Sequence, residues 1–144
     1  KQGYIYGFIT NTLDIKPCKG RHNFSKQIRI RDATLPWDSD DLQIMFFGDE
    51  IDQFPDVREG DLMRIHRMDI NFRVGVNNFQ GVFDLTKSFM TFIVIDGNLT
   101  IPNNKECVRH ASSQNYSFDE LVDGYFVKYL KDACRIRQEK TNPD

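Results

Sequence analysis

The stretch Leu42–Arg73, LQIMFFGDEIDQFPDVREGDLMRIHRMDINFR, decides how this chain folds. Its opening residues alternate. Leu42, Ile44 and Phe46 share one face of a strand, and Gln43, Met45 and Phe47 share the other. One face must be core, so a ring points outward whichever is chosen, unless the two phenylalanines are buried in different packing layers. Gly48 then lets a neighbouring backbone or a flat ring approach closely. Asp49 to Val57 places Ile51, Phe54 and Val57 at roughly helical spacing before Pro55 and its neighbours break it. One or two helical turns are expected there, plugging the end of a sheet. Arg58-Glu59-Gly60-Asp61 reads as a tight turn. From Leu62 to Val74 the apolar phase flips: Met63 and Ile65 have one parity, Met68, Ile70 and Phe72 the other. A β-bulge near His66 and Arg67 would restore one continuous apolar face. Past it, Arg67, Asp69, Asn71 and Arg73 form a long-armed polar row, either solvated or suited to base edges.

Upstream, Tyr4–Thr12 is a first strand, with Gly7 marking a bend. Such a bend fits a first strand coiled enough to be shared by two sheets. Lys16–Asn23, KPCKGRHN, is a loop whose cationic residues Lys16, Lys19, Arg21 and His22 either face solvent or contact phosphates. Phe24–Asp32 alternates strictly. Ile28 and Ile30 face one way, and Gln27, Arg29 and Arg31 the other, with Lys26 on the same strand. Residues 33–41, with Pro36 and Trp37, are a hairpin connection. Downstream, Gly75–Leu85 reads as a long turn with strand fragments, Ser88–Ile95 as a β-run, and Leu99–Ser113 as an irregular connector. The clearest helix covers about 117–138. Ser117 and Glu120 have capping-box spacing. Phe118, Leu121, Val122, Tyr125, Phe126, Tyr129, Leu130 and Ala133 form an apolar stripe expected to pack on the sheet. Gly124 costs that helix about 1 kcal/mol, and the segment from Glu139 should fray.

At 144 residues, 40% apolar and 28% charged, the chain has the composition of one globular domain with a substantial core. The net charge of −2 means that any nucleic-acid surface must be built from clustered cations. Arginines and lysines are dense in Lys16–Arg31 and Arg58–Arg73, and acids in Asp38–Asp61 and Asp119–Asp123. Cys18, Cys107 and Cys134 are odd in number and lack C-x-x-C spacing, so neither a zinc site nor a disulfide framework is implied and a reducing compartment is expected. No cofactor or metal is expected. No apolar run reaches the roughly 18 residues of a membrane span. His22, His66 and His110 have no triad or metal-site pattern. No P-loop, H-E-x-x-H or G-x-S-x-G is present. An enzyme is not expected.

Strand runs of this kind, a short helix between the third and fourth, and a C-terminal helix match a mainly β chain: a five-stranded Greek-key OB-fold barrel. Its domain spans 1–144, with the barrel at about 4–97, the connector at about 98–116 and the helix beyond. OB folds take oligonucleotides on their second and third strands and flanking loops. Those positions hold Phe24, Arg29, Arg31, Met45 and Phe47. Rings that stack bases beside guanidinium groups are what a single strand needs.

From Ile5 to Gly97 the chain resembles the single-stranded-DNA-binding OB fold of the protection-of-telomeres, or telomere end-binding, family. The resemblance rests on KGRHNFSKQIRIRD, LQIMFFG, REGDLMRIHR and FQGVF. Most specific is Gly60-Asp61 followed by Arg64, His66 and Arg67. It implies stacking by Phe24 and Phe47, and base or phosphate contacts by Arg29, Arg67, Asn71 and Gln80. It also implies a monomer that binds the G-rich single-stranded overhang in the nucleus at the telomere, with other telomere-capping proteins as further partners. Arg73 stands where the family often presents an aromatic ring, and Asp69 is an acid that would accept from base amino groups or pair with Arg67 or Arg73. The rival reading is an OB fold used as a protein–protein interaction module, favoured by the negative charge and by Met45 and Trp37.

Overall fold

The computed structural model describes residues 2–32, 41–76 and 78–141. It is mainly β, with one C-terminal helix. The strands are β1 (Gln2–Thr12), β2 (Lys16–Pro17), β3 (Phe24–Arg31), β4 (Leu42–Gly48), β5 (Leu62–Arg73), β6 (Asn78–Asp84), β7 (Thr91–Ile95) and β8 (Val108–Ala111), followed by α1 (Val122–Thr141). The pairings run β1-β3-β4-β6-β5 and return from β5 to β1, so five strands make a closed circuit. β7 and β8 extend from β5, and β2 pairs with β3. β4 and β6 run parallel; the other pairs are antiparallel.

β1 is the shared strand. Its residues from Gln2 to Phe8 pair with β5, and those from Phe8 to Thr12 pair with β3. The handover falls beside Gly7, where a Cβ would sit 3.2 Å from the Arg31 carbonyl oxygen. The phase flip in β5 is a bulge at Arg67. Its φ is +62°, and the pairing with β1 steps from Tyr4↔His66 to Gly3↔Met68, skipping Arg67. Met63 and Ile65 before the bulge thus join Met68 after it in one core with Ile9, Ile28, Ile30, Ile44, Phe46, Phe83 and Phe92. Gly81 faces inward among them; a Cβ there would meet Met68 Sδ at 2.7 Å, so a side chain from β5 occupies the space that β6 leaves open.

A second core lies on the other side of β1, β5 and β7. Phe8, Leu62, Ile93 and Ile95 pack against Val127, Leu130 and Cys134 of α1. Asp123 in the first turn of α1 accepts from the Tyr6 hydroxyl and pairs with Arg64 at 3.0 Å. Lys131, although buried, donates to the carbonyls of Asn98 at 3.2 Å and Ile101 at 3.1 Å. Burial pushes its ammonium below the usual lysine range, against the opposing pull of Cys107 and Asp96.

Four expectations are corrected. The segment from Asn78 is a full strand, because Gly81 and Phe83 face the core while Gln80, Val82 and Asp84 alternate with them. Between β4 and β5 there is only a single 3-10 turn, Ile51–Gln53, and the core contact comes from Phe54 and Val57. The connector holds β8, added to β7. The helix starts at Val122 rather than Ser117 and runs to Thr141, past the point where fraying was expected. Asp119 Oδ1 accepts from the N–H of Leu121 at 2.9 Å and of Val122 at 3.4 Å, while the Ser117 carbonyl accepts from Arg64 at 2.8 Å. The buried face of α1 carries Asp123, Val127, Leu130 and Cys134, so much of the apolar stripe is exposed: Leu121, Val122, Tyr125 and Tyr129 face out. Gly124 has its own reason, since a Cβ would stand 2.7 Å from the Asn103 carbonyl oxygen. The expected hairpin connection, Trp37 included, falls at 33–40, outside the described residues, as does Asn77.

Candidate nucleic-acid interface

β3, β4, β6 and the end of β5 keep their core-side residues inward, which aims the alternate residues at an open face. Register sets these in rows. Ser25, Phe47 and Asp84 form the first row. Gln27, Met45, Val82 and Asp69 form the second. Arg29, Gln43, Gln80 and Asn71 form the third, with Arg73 opposite Asn78 beyond it. Rows of this type bring side chains about 4.5–5.5 Å apart between neighbouring strands. The face therefore grades from an aromatic end to an amide-and-arginine end.

At the amide end, Arg29 Nη2 donates to Gln43 Oε1 at 3.3 Å, and Arg73 Nη1 donates to Gln80 Oε1 at 2.7 Å. The two pairs flank a cleft of about 270 Å³ lined also by Asp41, Asn78 and Phe79. Phe79 pairs with Phe72 across β5 and β6, edge to face at 5.2 Å between ring centres. Both rings have the parity of Ile70 and Gly81, the side opposite the open face, where Phe79 is 55% exposed and Phe72 49%.

At the aromatic end, the loop before β3 closes by the Cys18 N–H bonding the Asn23 carbonyl at 2.9 Å, with Gly20 at φ +113° making the turn. This sets the His22 ring against Phe47, 6.1 Å between centres, and His22 Nε2 3.3 Å from Asp84 Oδ2. Burial pushes the Asp84 carboxyl up, but hydrogen bonds from the Thr86 hydroxyl and N–H, with the charges of His22 and Lys87, outweigh it and hold the group below the usual range. Beyond Asp84, Lys87 Nζ lies 5.9 Å from the centre of the exposed Phe89 ring. Arg67 reaches this loop, donating to the Phe89 carbonyl at 3.2 Å.

The face thus gathers Arg29, Met45, Phe47, Asp69, Asn71, Arg73 and Gln80, with His22 at its edge. Lys19 and Arg21 are exposed on the adjoining loop. Other residues expected there lie elsewhere. Phe24 packs against the core. Lys26 has the core-side parity; burial lowers its ammonium, against Asp14 and Asp56. Arg31 is only 3% exposed and forms an ion pair with Asp41 at 2.8 Å beneath α1, whose Arg137 stands 3.9 Å from the same carboxylate. Arg67 is displaced from the row of Asp69 and Asn71 because it is itself the bulge residue. The structure adds Gln43, Asp84, Lys87 and Phe89. Alternation in FQGVFD was available as a signal for Asp84, while the loop position of Phe89 had none. Among the described residues, no group of His, Cys, Asp and Glu side chains is arranged to hold a metal ion. Among the described residues, no helix is long and apolar enough to cross a membrane.

No curated protein matches the sequence. Among solved structures, the chain is similar to a crystal structure of fission yeast Pot1 with ssDNA, with TM-score 0.70 and 14% identity over 94% of this chain. It spans 43% of that Pot1 chain. It is also similar to a Pot1 (protection of telomere)–ssDNA complex, with TM-score 0.71 and 13% identity, covering 96% of this chain and 79% of that one. At such identities the likeness is one of fold. The family model for "Telomeric single stranded DNA binding POT1/CDC13" matches residues 1–138. The chain belongs to the telomeric single-stranded-DNA-binding POT1/CDC13 family.

Proposed function

We propose that this domain is a five-stranded Greek-key OB barrel that binds single-stranded telomeric DNA, the G-rich 3′ overhang. It would serve chromosome-end protection and telomere length control in the nucleus, without catalysing a reaction. The observation that carries the proposal is the row structure of the open face. Phe47 provides a π surface at one end, and guanidinium and amide groups line the other. A base stacked on an aromatic ring contributes about 1–3 kcal/mol. Arg29, Arg73, Asn71 and Gln80 supply base-edge and phosphate contacts, and Lys19, Arg21 and Lys87 extend the basic track over the flanking loops. Asp69 makes like-charged phosphates unwelcome in the middle of the face, which favours bases inward and backbone at the margins.

Fluorescence anisotropy with labelled oligonucleotides tests this. The probes are a G-rich telomeric repeat, its C-rich complement, oligo-dT, the duplex and the RNA version, each at two salt concentrations. Tight binding of the G-rich single strand with a modest salt slope is expected. Equal affinity for all probes, or none, would sink it.

A second reading, protein docking by the same domain, is supported by a different surface. Tyr125 is 64% exposed and stacks on Tyr129 at 6.4 Å, beside a groove of about 510 Å³ lined by Tyr6 and Phe126. It lies on α1, away from the open face, so the two readings do not compete for residues.

A further inference from the structure

The cleft between Arg29 and Arg73 has a one-sided hydrogen-bonding character. Gln43 and Gln80 each turn their Oε1 to an arginine, at 3.3 Å and 2.7 Å. Asn78 turns its Oδ1 onto the Phe79 N–H at 2.8 Å. All three amide oxygens are used within the protein, and the three amino groups have no partner among the described residues. Asp41, the remaining polar side chain of the lining, is held by Arg31 at 2.8 Å and by the Thr10 hydroxyl. What the cleft offers a ligand is therefore donors: three amide NH₂ groups and the spare N–H groups of two guanidiniums.

We propose that this cleft selects one guanine through its O6/N7 edge. The proposal rests on the single-strand reading above. That edge presents two adjacent acceptors and no donor, whereas adenine sets N6–H₂ beside N7 and cytosine exposes N4–H₂. Thymine carries N3–H between its two carbonyls. Each of these would aim a donor at a donor and leave it unpaired on closing the cleft. A phosphate also lacks donors, but the three amides that line the cleft are neutral. Gln43 and Gln80 are then specificity residues. Each arginine polarises one amide by taking its oxygen, and so fixes which end of that amide the base meets.

The test uses the G-rich repeat with each dG replaced in turn by 7-deaza-dG, which lacks the N7 acceptor, or by deoxyinosine, which lacks only the N2 amine. A parallel series carries single methylphosphonate linkages. One position is expected at which 7-deaza-dG weakens binding about tenfold while deoxyinosine changes it less than about twofold. In Gln80→Glu, which keeps a partner for Arg73 but removes the amino donor, that 7-deaza penalty is expected to fall below about twofold. Gln43→Glu serves as the companion variant. Tight binding of the parent oligonucleotide with no 7-deaza-sensitive position overturns the proposal while leaving the single-strand reading intact. Sensitivity to methylphosphonate alone at the position opposite the cleft assigns it to phosphate and overturns it equally. Failure to bind the unmodified repeat overturns both.

Discussion

Arg64 and Asp123 form an ion pair at 3.0 Å with both side chains 7% exposed, joining the start of β5 to the first turn of α1. Arg64 also donates to the Ser117 carbonyl, and Asp123 also accepts from the Tyr6 hydroxyl, so neither charge relies on the other alone. Removing one member leaves a buried charge uncompensated, at a cost of about 3–5 kcal/mol. Asp123→Ala and Arg64→Ala are each expected to lose about that much stability in urea melts. The double variant should lose clearly less than the sum of the two.

Phe47 is expected to matter for binding far more than for folding. Its ring faces outward above a core that does not include it, with His22 stacked at 6.1 Å. Phe47→Ala should weaken the single-stranded complex by about 1–3 kcal/mol, measured by anisotropy. Its urea midpoint should move by the equivalent of no more than about 1 kcal/mol.

Acidification should destabilise the fold near neutrality through His110. Its Nδ1 accepts from the Asp56 N–H at 3.1 Å, which requires the neutral ring. Burial lowers its pKa from 6.5, with Arg109 in the same direction and Asp56 opposing. His66 is lowered from 6.5 as well, by burial first and then by Arg64 and Arg67. A depressed histidine binds its proton later in the folded chain than in the unfolded one. The stability it contributes is therefore complete above 6.5 and lost as pH falls through the lower folded value. Urea melts from pH 8 to pH 5 should show this decline. His110→Asn should make it shallower, leaving the part due to His66.

Arg67 separates backbone from side chain. At φ +62° a non-glycine residue is disfavoured by roughly 1–2 kcal/mol. Arg67→Gly is therefore expected to be more stable than Arg67→Ala by about 1 kcal/mol. Both lose the bond to the Phe89 carbonyl, and both should bind single strands more weakly than the parent by a similar factor. An Ala variant as stable as the Gly variant would show that the bulge is not strained.

Which parts of this were legible follows from how local each signal is. Period-two alternation in FSKQIRIR and LQIMFFG is a property of adjacent residues, and it placed Arg29, Met45 and Phe47 on the outward face. The bulge was legible because a parity break leaves a mark in one strand alone. Phe24 was misplaced because its ring was weighed by residue type, although its parity with Ile28 already pointed inward. Arg31 could not be distinguished from Arg29 by alternation. Both face the same way, and what buries Arg31 is Asp41 and a helix more than a hundred residues downstream. The start of α1 slipped because Ser117 and Glu120 have capping-box spacing, while Asp119 satisfies the free N–H groups and Asp123 is pulled into the ion pair with Arg64. The inward half of the helix is selected by that pair and by Lys131, two polar anchors that an apolar-stripe reading discounts.

The second core has a consequence for where this domain can be cut. Phe8, Leu62, Ile93 and Ile95 lie on the outside of the strand circuit and are shielded by Val127, Leu130 and Cys134. A fragment ending near Gly97 would keep every strand of the circuit, yet present that apolar panel to water beside the unpaired edge of β7, the partner of β8. Exposed apolar surface next to an open strand edge is a template for self-association. The helix is thus the domain's solubility cover as well as its brace, and a minimal binding fragment has to include it to remain monodisperse.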